Sequence, residues 1–152
     1  MAVLNIMLAE DTPDDVLLLQ HAFKQAGLAH RLEVVCDGME AMEYLNGDKA
    51  YADREQYPFP DVLLLDLNMP RMNGLELLAA IRNDPRLKNI RVFVMTTSQE
   101  PTDRNATDRL GVSGYLIKPM SYRGGYNRVD SMEHFVQFHL RNILIGGGEI
   151  SP

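Results

Sequence analysis

The stretch Pro60-Asp61-Val62-Leu63-Leu64-Leu65-Asp66-Leu67-Asn68-Met69-Pro70-Arg71-Met72-Asn73-Gly74 decides how the chain is read. Four consecutive aliphatic residues, Val62 to Leu65, lie between Pro60 and the turn residues Pro70 and Gly74. An amphipathic helix would space its apolar residues by three and four, so an unbroken short run fits a strand covered on both faces. Such a strand delivers Asp66 to its own carboxyl end. In open parallel sheets, ligands gather just beyond the carboxyl ends of the strands.

Upstream, Val3 to Ala9 is a second apolar run that also ends in carboxylates, Glu10 and Asp11. Thr12, Pro13 and the acids Asp14 and Asp15 are helix-start signals, and these two acids need no role beyond complementing the helix dipole. Val16, Leu19, Phe23 and Ala26 give that helix one apolar face, and Gly27 ends it. Arg31 to Val35 predicts a strand, and Met39 to Asn46 a short helix with Met42 and Leu45 inward. Residues 47–60 lose periodicity and form a surface connection with no evident chemistry.

Downstream, Leu75 to Arg82 predicts a helix whose Leu77, Leu78 and Ile81 face the sheet, and Arg91 to Thr96 a buried strand running into Thr97-Ser98. From Pro101 to about Leu110 a polar helix offers only Ala106 and Leu110 as clear inward positions. Tyr115 to Ile117 is a strand ending at Lys118-Pro119, and Ser131 to Leu144 a final helix. That helix carries more apolar surface than one face against a sheet uses, which points to a partner contact through Phe135, Phe138 and Ile143. Strands alternating with helices specify an α/β fold: a flavodoxin-like, doubly wound five-stranded parallel sheet in the order 2-1-3-4-5 with helices on both faces. One domain over residues 1–145 and a flexible tail over 146–152 are expected.

The net charge of −6 lacks the clustered Lys and Arg that binding a phosphate backbone requires, so no nucleic-acid partner is expected. Neither a signal peptide nor a membrane-spanning run is visible, and a cytoplasmic location follows as the expectation. The single cysteine, Cys36, reads as a buried inert thiol. His21, His30, His134 and His139 lack metal-ligand spacing; the last two, five apart, fall off a common α-helical face.

The predicted strand order sets Glu10, Asp11 and Asp66 side by side at the switch point. Carboxylates crowded in a partly desolvated cleft require a neutralising cation, and all-oxygen donors suit Mg²⁺. Lys118 at the end of the fifth strand adds a point positive charge, and Thr96 at the end of the fourth adds a hydroxyl. This is the set a phosphoryl group needs for positioning and charge stabilisation, with Asp66 as the nucleophile that becomes an aspartyl phosphate. A flavin or nucleotide binder of the same fold is disfavoured because Glu10 and Asp11 would repel a phosphate there. A Mg²⁺-dependent phosphatase is disfavoured because the position two past Asp66 is Asn68.

Glu10-Asp11 after a strand, Asp66 in LLLDLNMPRMNG, Thr96 in VMTTS and Lys118-Pro119 in GYLIKP resemble the receiver domain of two-component response regulators, over essentially the whole chain. The resemblance implies a phosphoacceptor signalling protein, with at most slow self-dephosphorylation, that takes phosphate from a histidine kinase. It implies Mg²⁺, for which Ca²⁺ or Mn²⁺ substitutes in the family, held by Asp11, Asp66 and the Asn68 carbonyl, with Glu10 acting through a water. It further implies phosphoryl contacts from Thr96, the Thr97 amide and Lys118, a switch of Thr96 with Tyr115, rate tuning by Asn68 and Ser98, and a cis Lys118-Pro119 bond. EDTPDDVLLLQHAF, PFPDVLLLDLNMPRMNG and DPRLKNIRVFVMTTS resemble single-domain regulators paired with bacterial phytochromes. That narrower likeness implies a bacteriophytochrome kinase, a homodimer through the fourth helix, fifth strand and fifth helix, and a possible downstream phosphotransfer protein. With no room for a DNA-binding unit in the sequence, output is expected through protein contacts. The segment 120–130 is longer than the usual connection into the last helix.

Overall fold

A computed structural model describes residues 3–69, 71–96, 101–118 and 134–146. Its elements are β1 (Leu4–Ala9), α1 (Pro13–Gln25), β2 (His30–Val35), α2 (Gly38–Asn46), β3 (Val62–Asp66), α3 (Gly74–Asn83), β4 (Arg91–Thr96), α4 (Pro101–Arg109) and β5 (Gly114–Ile117). A last helix, α5, runs Phe135–Leu140 as a π-helix and continues Arg141–Gly146 as an α-helix. The five strands form one parallel sheet in the order β2-β1-β3-β4-β5, as the alternation predicted.

Every residue of β3 is buried, which is why its sequence is unbroken apolar up to Asp66. Alternate residues of the central strands feed two cores. One packs Leu19, Ala22 and Phe23 of α1 with Phe135, Val136 and Leu140 of α5 against Leu64 and Phe93. The other packs Ala41, Tyr44 and Leu45 of α2 with Leu77, Leu78 and Ile81 of α3 against Leu63 and Leu65. Helices therefore cover both faces.

Several expectations are corrected. Phe135 and Ile143 are buried in the core, so only Phe138 of the three presumed partner residues presents its side chain to solvent, at 59% exposure. Val136, Leu140 and Ile143, spaced by four and three, form one face against the sheet with Phe135 beside it, so the core takes up most of the apolar surface that the sequence assigned to a partner. The π-helical turn brings His134 and His139 onto one side, ring centroids 5.8 Å apart, with His134 stacked on Phe138 and His139 edge-on to Phe93. On α4 the fully buried side chain is Thr107, whereas Ala106 and Leu110 are half-buried. Cys36 is exposed, because β2 ends at Val35 and the chain has already turned outward.

Residues 47–60 have a structural task that composition did not reveal. Arg54 reaches back to the end of α2 and donates to the carbonyls of Tyr44 (2.9 Å) and Leu45 (2.8 Å), and to Tyr57 within its own segment (3.2 Å). Its guanidinium also lies 5.8 Å from the Tyr44 ring centroid. A planar cation on the orphan carbonyls at a helix C-terminus satisfies both hydrogen bonding and the dipole. Arg54→Ala is expected to lower the unfolding free energy by about 2 kcal/mol, and Arg54→Lys to recover less than half of it, since an ammonium lacks the fork. Urea denaturation of the three proteins checks this.

Candidate functional site

β1 and β3 are neighbours in register, Ala9 beside Leu65, so the next residue of each, Glu10 and Asp66, leaves the sheet at the same place. The Glu10 amide extends the β1-β2 ladder by donating to Val35 O at 2.9 Å, which fixes where its side chain starts. On the other side β3 pairs with β4, and Thr96 of β4 lies in register with Ile117 of β5, so Lys118 follows at the same edge. Its stem reaches back over the sheet end. Lys118 Nζ donates to Glu10 Oε1 at 2.6 Å, Asp15 Oδ2 at 2.8 Å and Asp66 Oδ2 at 3.1 Å. These three contacts match the three donors of an ammonium.

The second carboxylate oxygens of Asp66 and Glu10 are also engaged. Asp66 Oδ1 accepts from the Asn68 amide at 3.0 Å, and Glu10 Oε2 from the Thr12 amide at 3.2 Å. Asp11 is exposed, yet Glu10, Asp11 and Asp66 each bring a carboxylate oxygen within 4.8 Å of the others. Asp15 was read from sequence as a helix-start charge only; the structure places it on Lys118. No local spacing signals this contact, because Lys118 is more than a hundred residues away in sequence and only the fold brings the two together.

Three carboxylates share one ammonium, and the imbalance falls on Glu10. Burial raises its carboxyl to about 7, helped by a hydrogen bond with Asp66 and opposed by Lys118. For Lys118, burial alone would depress the ammonium, but hydrogen bonds to Asp15 and Glu10 and the charge of Asp66 outweigh it and hold the group above its ordinary value. Lys118 stays charged while Glu10 is the member that can take a proton. An all-oxygen donor set with excess negative charge fits a hard divalent cation.

The loop after Asp66 is held by backbone contacts. Gly74 N donates to Leu67 O at 3.1 Å, and a Cβ on Gly74 would stand 2.3 Å from Asp66 O and 2.6 Å from Leu67 Cα. Glycine is required there for close approach. Asn73 and Glu76 form a capping box that starts α3 at once. Arg71, at φ 61°, pairs with Asp37 at 2.6 Å, and Gly38 N donates to Met72 O at 3.0 Å, tying this loop to the start of α2.

Tyr115 lies on β5 with its hydroxyl donating to Asp108 Oδ1 and bonded to Thr107 Oγ1, both at 2.5 Å on α4. Thr96 ends β4. Thr97, Ser98, the Lys118-Pro119 bond and segment 120–130 lie outside the described residues.

Residues 6–130 match the response regulator receiver domain. The chain belongs to this family. It is 38% identical over 130 residues to the response regulator Rcp1 of Synechocystis sp., covering 86% of each chain. In structure it is similar to the phosphorylated cyanobacterial phytochrome response regulator RcpA, at 33% identity and a TM-score of 0.77 over 97% of each chain. The Mn²⁺-bound form of Rcp1 gives 36% identity and a TM-score of 0.73 over 88% of this chain and 92% of that one. As a receiver domain the protein is a two-component signalling protein whose partner class is the histidine kinase, and Glu10, Asp11 and Asp66 form the family's acidic divalent-metal cluster. No helix among the described residues is long and apolar enough to cross a membrane.

Two outcomes follow from this geometry. Glu10 has a folded-state pKa near 7 against an unfolded value of 4.5, so the folded metal-free receiver domain binds the extra proton between those values. Its contribution to stability is therefore fully present below pH 4.5 and is lost as pH rises through 7. Denaturation in a chelator, from pH 4.5 to 8, should show this decline, and Glu10→Gln should flatten it. Gly74→Ala forces backbone apart and is expected to cost about 2 to 3 kcal/mol in urea denaturation, at the upper end for overpacking.

Proposed function

We propose that the protein is a phytochrome-linked response regulator that accepts a phosphoryl group on Asp66 from a phosphohistidine of its kinase. The observation that carries this reading is the Lys118 ammonium bound among Glu10, Asp15 and Asp66 at the carboxyl edge of the sheet. The likeness to Rcp1 and RcpA supports the phytochrome pairing.

A carboxylate oxygen of Asp66 forms the new O–P bond while the N–P bond of the phosphohistidine breaks, and that electron pair stays on the kinase imidazole. Asp66 is positioned for this by two anchors, the Asn68 amide on one oxygen and Lys118 on the other. Asp11, Asp66 and the Asn68 carbonyl, with Glu10 through a water, would hold Mg²⁺, with Mn²⁺ or Ca²⁺ as substitutes. The cation would offset the charge on the transferring phosphoryl oxygens. Lys118 supplies a second positive charge to the same oxygens, and Thr96 and the Thr97 amide supply hydrogen bonds.

Movement of Thr96 toward the phosphoryl group leaves room for Tyr115 to turn inward. For that, Tyr115 gives up its bonds to Thr107 and Asp108, so α4 is released as the phosphoryl group is bound. Asn68 and Ser98 set the rate at which the aspartyl phosphate hydrolyses, a slow reset without turnover of other substrates. Output passes from the α4, β5 and α5 face through protein contact, to a second copy of the chain and to a downstream phosphotransfer protein in the cytoplasm. Phe138 is the exposed apolar anchor of that face.

Incubation with acetyl phosphate and Mg²⁺, followed by intact mass measurement, tests the assignment. One phosphoryl group is expected on the parent protein, none on Asp66→Asn, and none on the parent in excess chelator. Equal labelling of the parent and Asp66→Asn would remove Asp66 from this role.

A further inference from the structure

At the opposite end of the sheet from Asp66, where β4 begins, the loops into β4 and β5 and the end of α4 border an open surface depression of about 440 Å³. Its lining includes Arg82, Lys88, Arg91 and Arg109 and no carboxylate, a concentration of positive charge in a chain whose net charge is −6. Arg82 forms its inner wall. The guanidinium donates to the carbonyls of Leu110 (2.6 Å), Ile90 (2.8 Å), Lys88 (2.9 Å) and Gly111 (3.1 Å). Four of its five N–H donors are thereby used on neutral acceptors, leaving its charge without a counter-ion and one N–H over. Burial lowers its pKa. Lys88 and Arg109 are exposed at the rim, and the half-buried Leu110 supplies apolar surface between the charges.

We propose that this pocket binds a small organic phosphate, a compound of nucleotide size with two or more negative charges and a flat apolar part. The volume lies in the range of small-molecule sites. An anion entering it meets cations from three segments of chain, α3, the loop into β4 and the end of α4, and charge-assisted hydrogen bonds of this kind are the strong ones. A flat apolar group finds Leu110 to lie against. The site is separate from the acidic edge, where a second phosphate compound would be repelled by Glu10, Asp11 and Asp15. This inference stands apart from the proposed phosphoryl transfer.

The test uses ADP, pyrophosphate and inorganic phosphate as probes of the full chain in excess chelator, by calorimetry and by amide shifts in ¹H–¹⁵N spectra. ADP is expected to bind more tightly than pyrophosphate, and pyrophosphate more tightly than phosphate, with shifts confined to residues 88–91 and 109–113. The double variant Lys88→Ala, Arg109→Ala, changed only at exposed rim side chains, should bind ADP at least about tenfold more weakly while its spectrum elsewhere is unchanged. Asp66→Asn should bind as the parent does. Binding should weaken as salt is added. The proposal is overturned by an absence of shifts in those segments at millimolar ADP, by equal affinity in the double variant, or by pyrophosphate binding as tightly as ADP. Binding of an acidic peptide in place of all three probes would also overturn it.

Discussion

The site depends on one buried ammonium shared by three carboxylates. Lys118 is 10% exposed at its side chain, Glu10 and Asp66 are at 0% and 4%, and Asp15 is at 22%. Burying such a group costs desolvation that Coulomb attraction does not reliably return, and losing one partner leaves an uncompensated charge. The network is therefore not what holds the molecule together. The continuous apolar strand β3 and the two helical layers hold it, and they impose the charge cluster on the sheet edge as a consequence of strand order.

Rigidity around Asp66 has a matching origin. Residues 67–74 could be a loose connection by composition, but Gly74 packs against the backbone of Asp66 and Leu67, and Arg71 and Met72 bind the start of α2. Side chains that orient the carboxylate by packing alone would let it swing. Backbone contacts at van der Waals distance leave Asp66 with its two fixed hydrogen bonds instead, one from an amide and one from Lys118. Two strands away, on β5, the hydroxyl of Tyr115 is fixed to α4.

Features written into short runs of sequence were legible. The unbroken apolar run of β3, the carboxylates after β1, and the Gly and Pro punctuation set the fold and placed Glu10, Asp11, Asp66 and Lys118 together. What stayed hidden depended on distant geometry. Asp15 meets Lys118 only because α1 leans its first turn over the sheet edge. Phe135 and Ile143 were expected on a partner face because sequence alone does not say which side of the last helix meets the sheet, and the structure packs both into the core. Arg54 looked like one charge in a polar connection because the carbonyls it binds are nine and ten residues away. Cys36 looked like the end of an apolar run, but strand pairing stops one residue before it.

The unequal burial of Lys118's partners also orders their replacement. In the proposed reaction a phosphoryl group arrives beside Lys118, whose three donors are already committed, so at least one carboxylate must yield its bond. Releasing Glu10 would strand a charge in a fully buried position, unless it takes the proton its raised pKa favours. Releasing Asp66 would free the oxygen that the reaction engages. Asp15, the most solvated of the three, can exchange the ammonium for water at the least cost. A residue of the first turn of α1 thus becomes the displaced partner when Lys118 turns to the phosphoryl oxygens, and the network that holds the ammonium contains its own leaving contact.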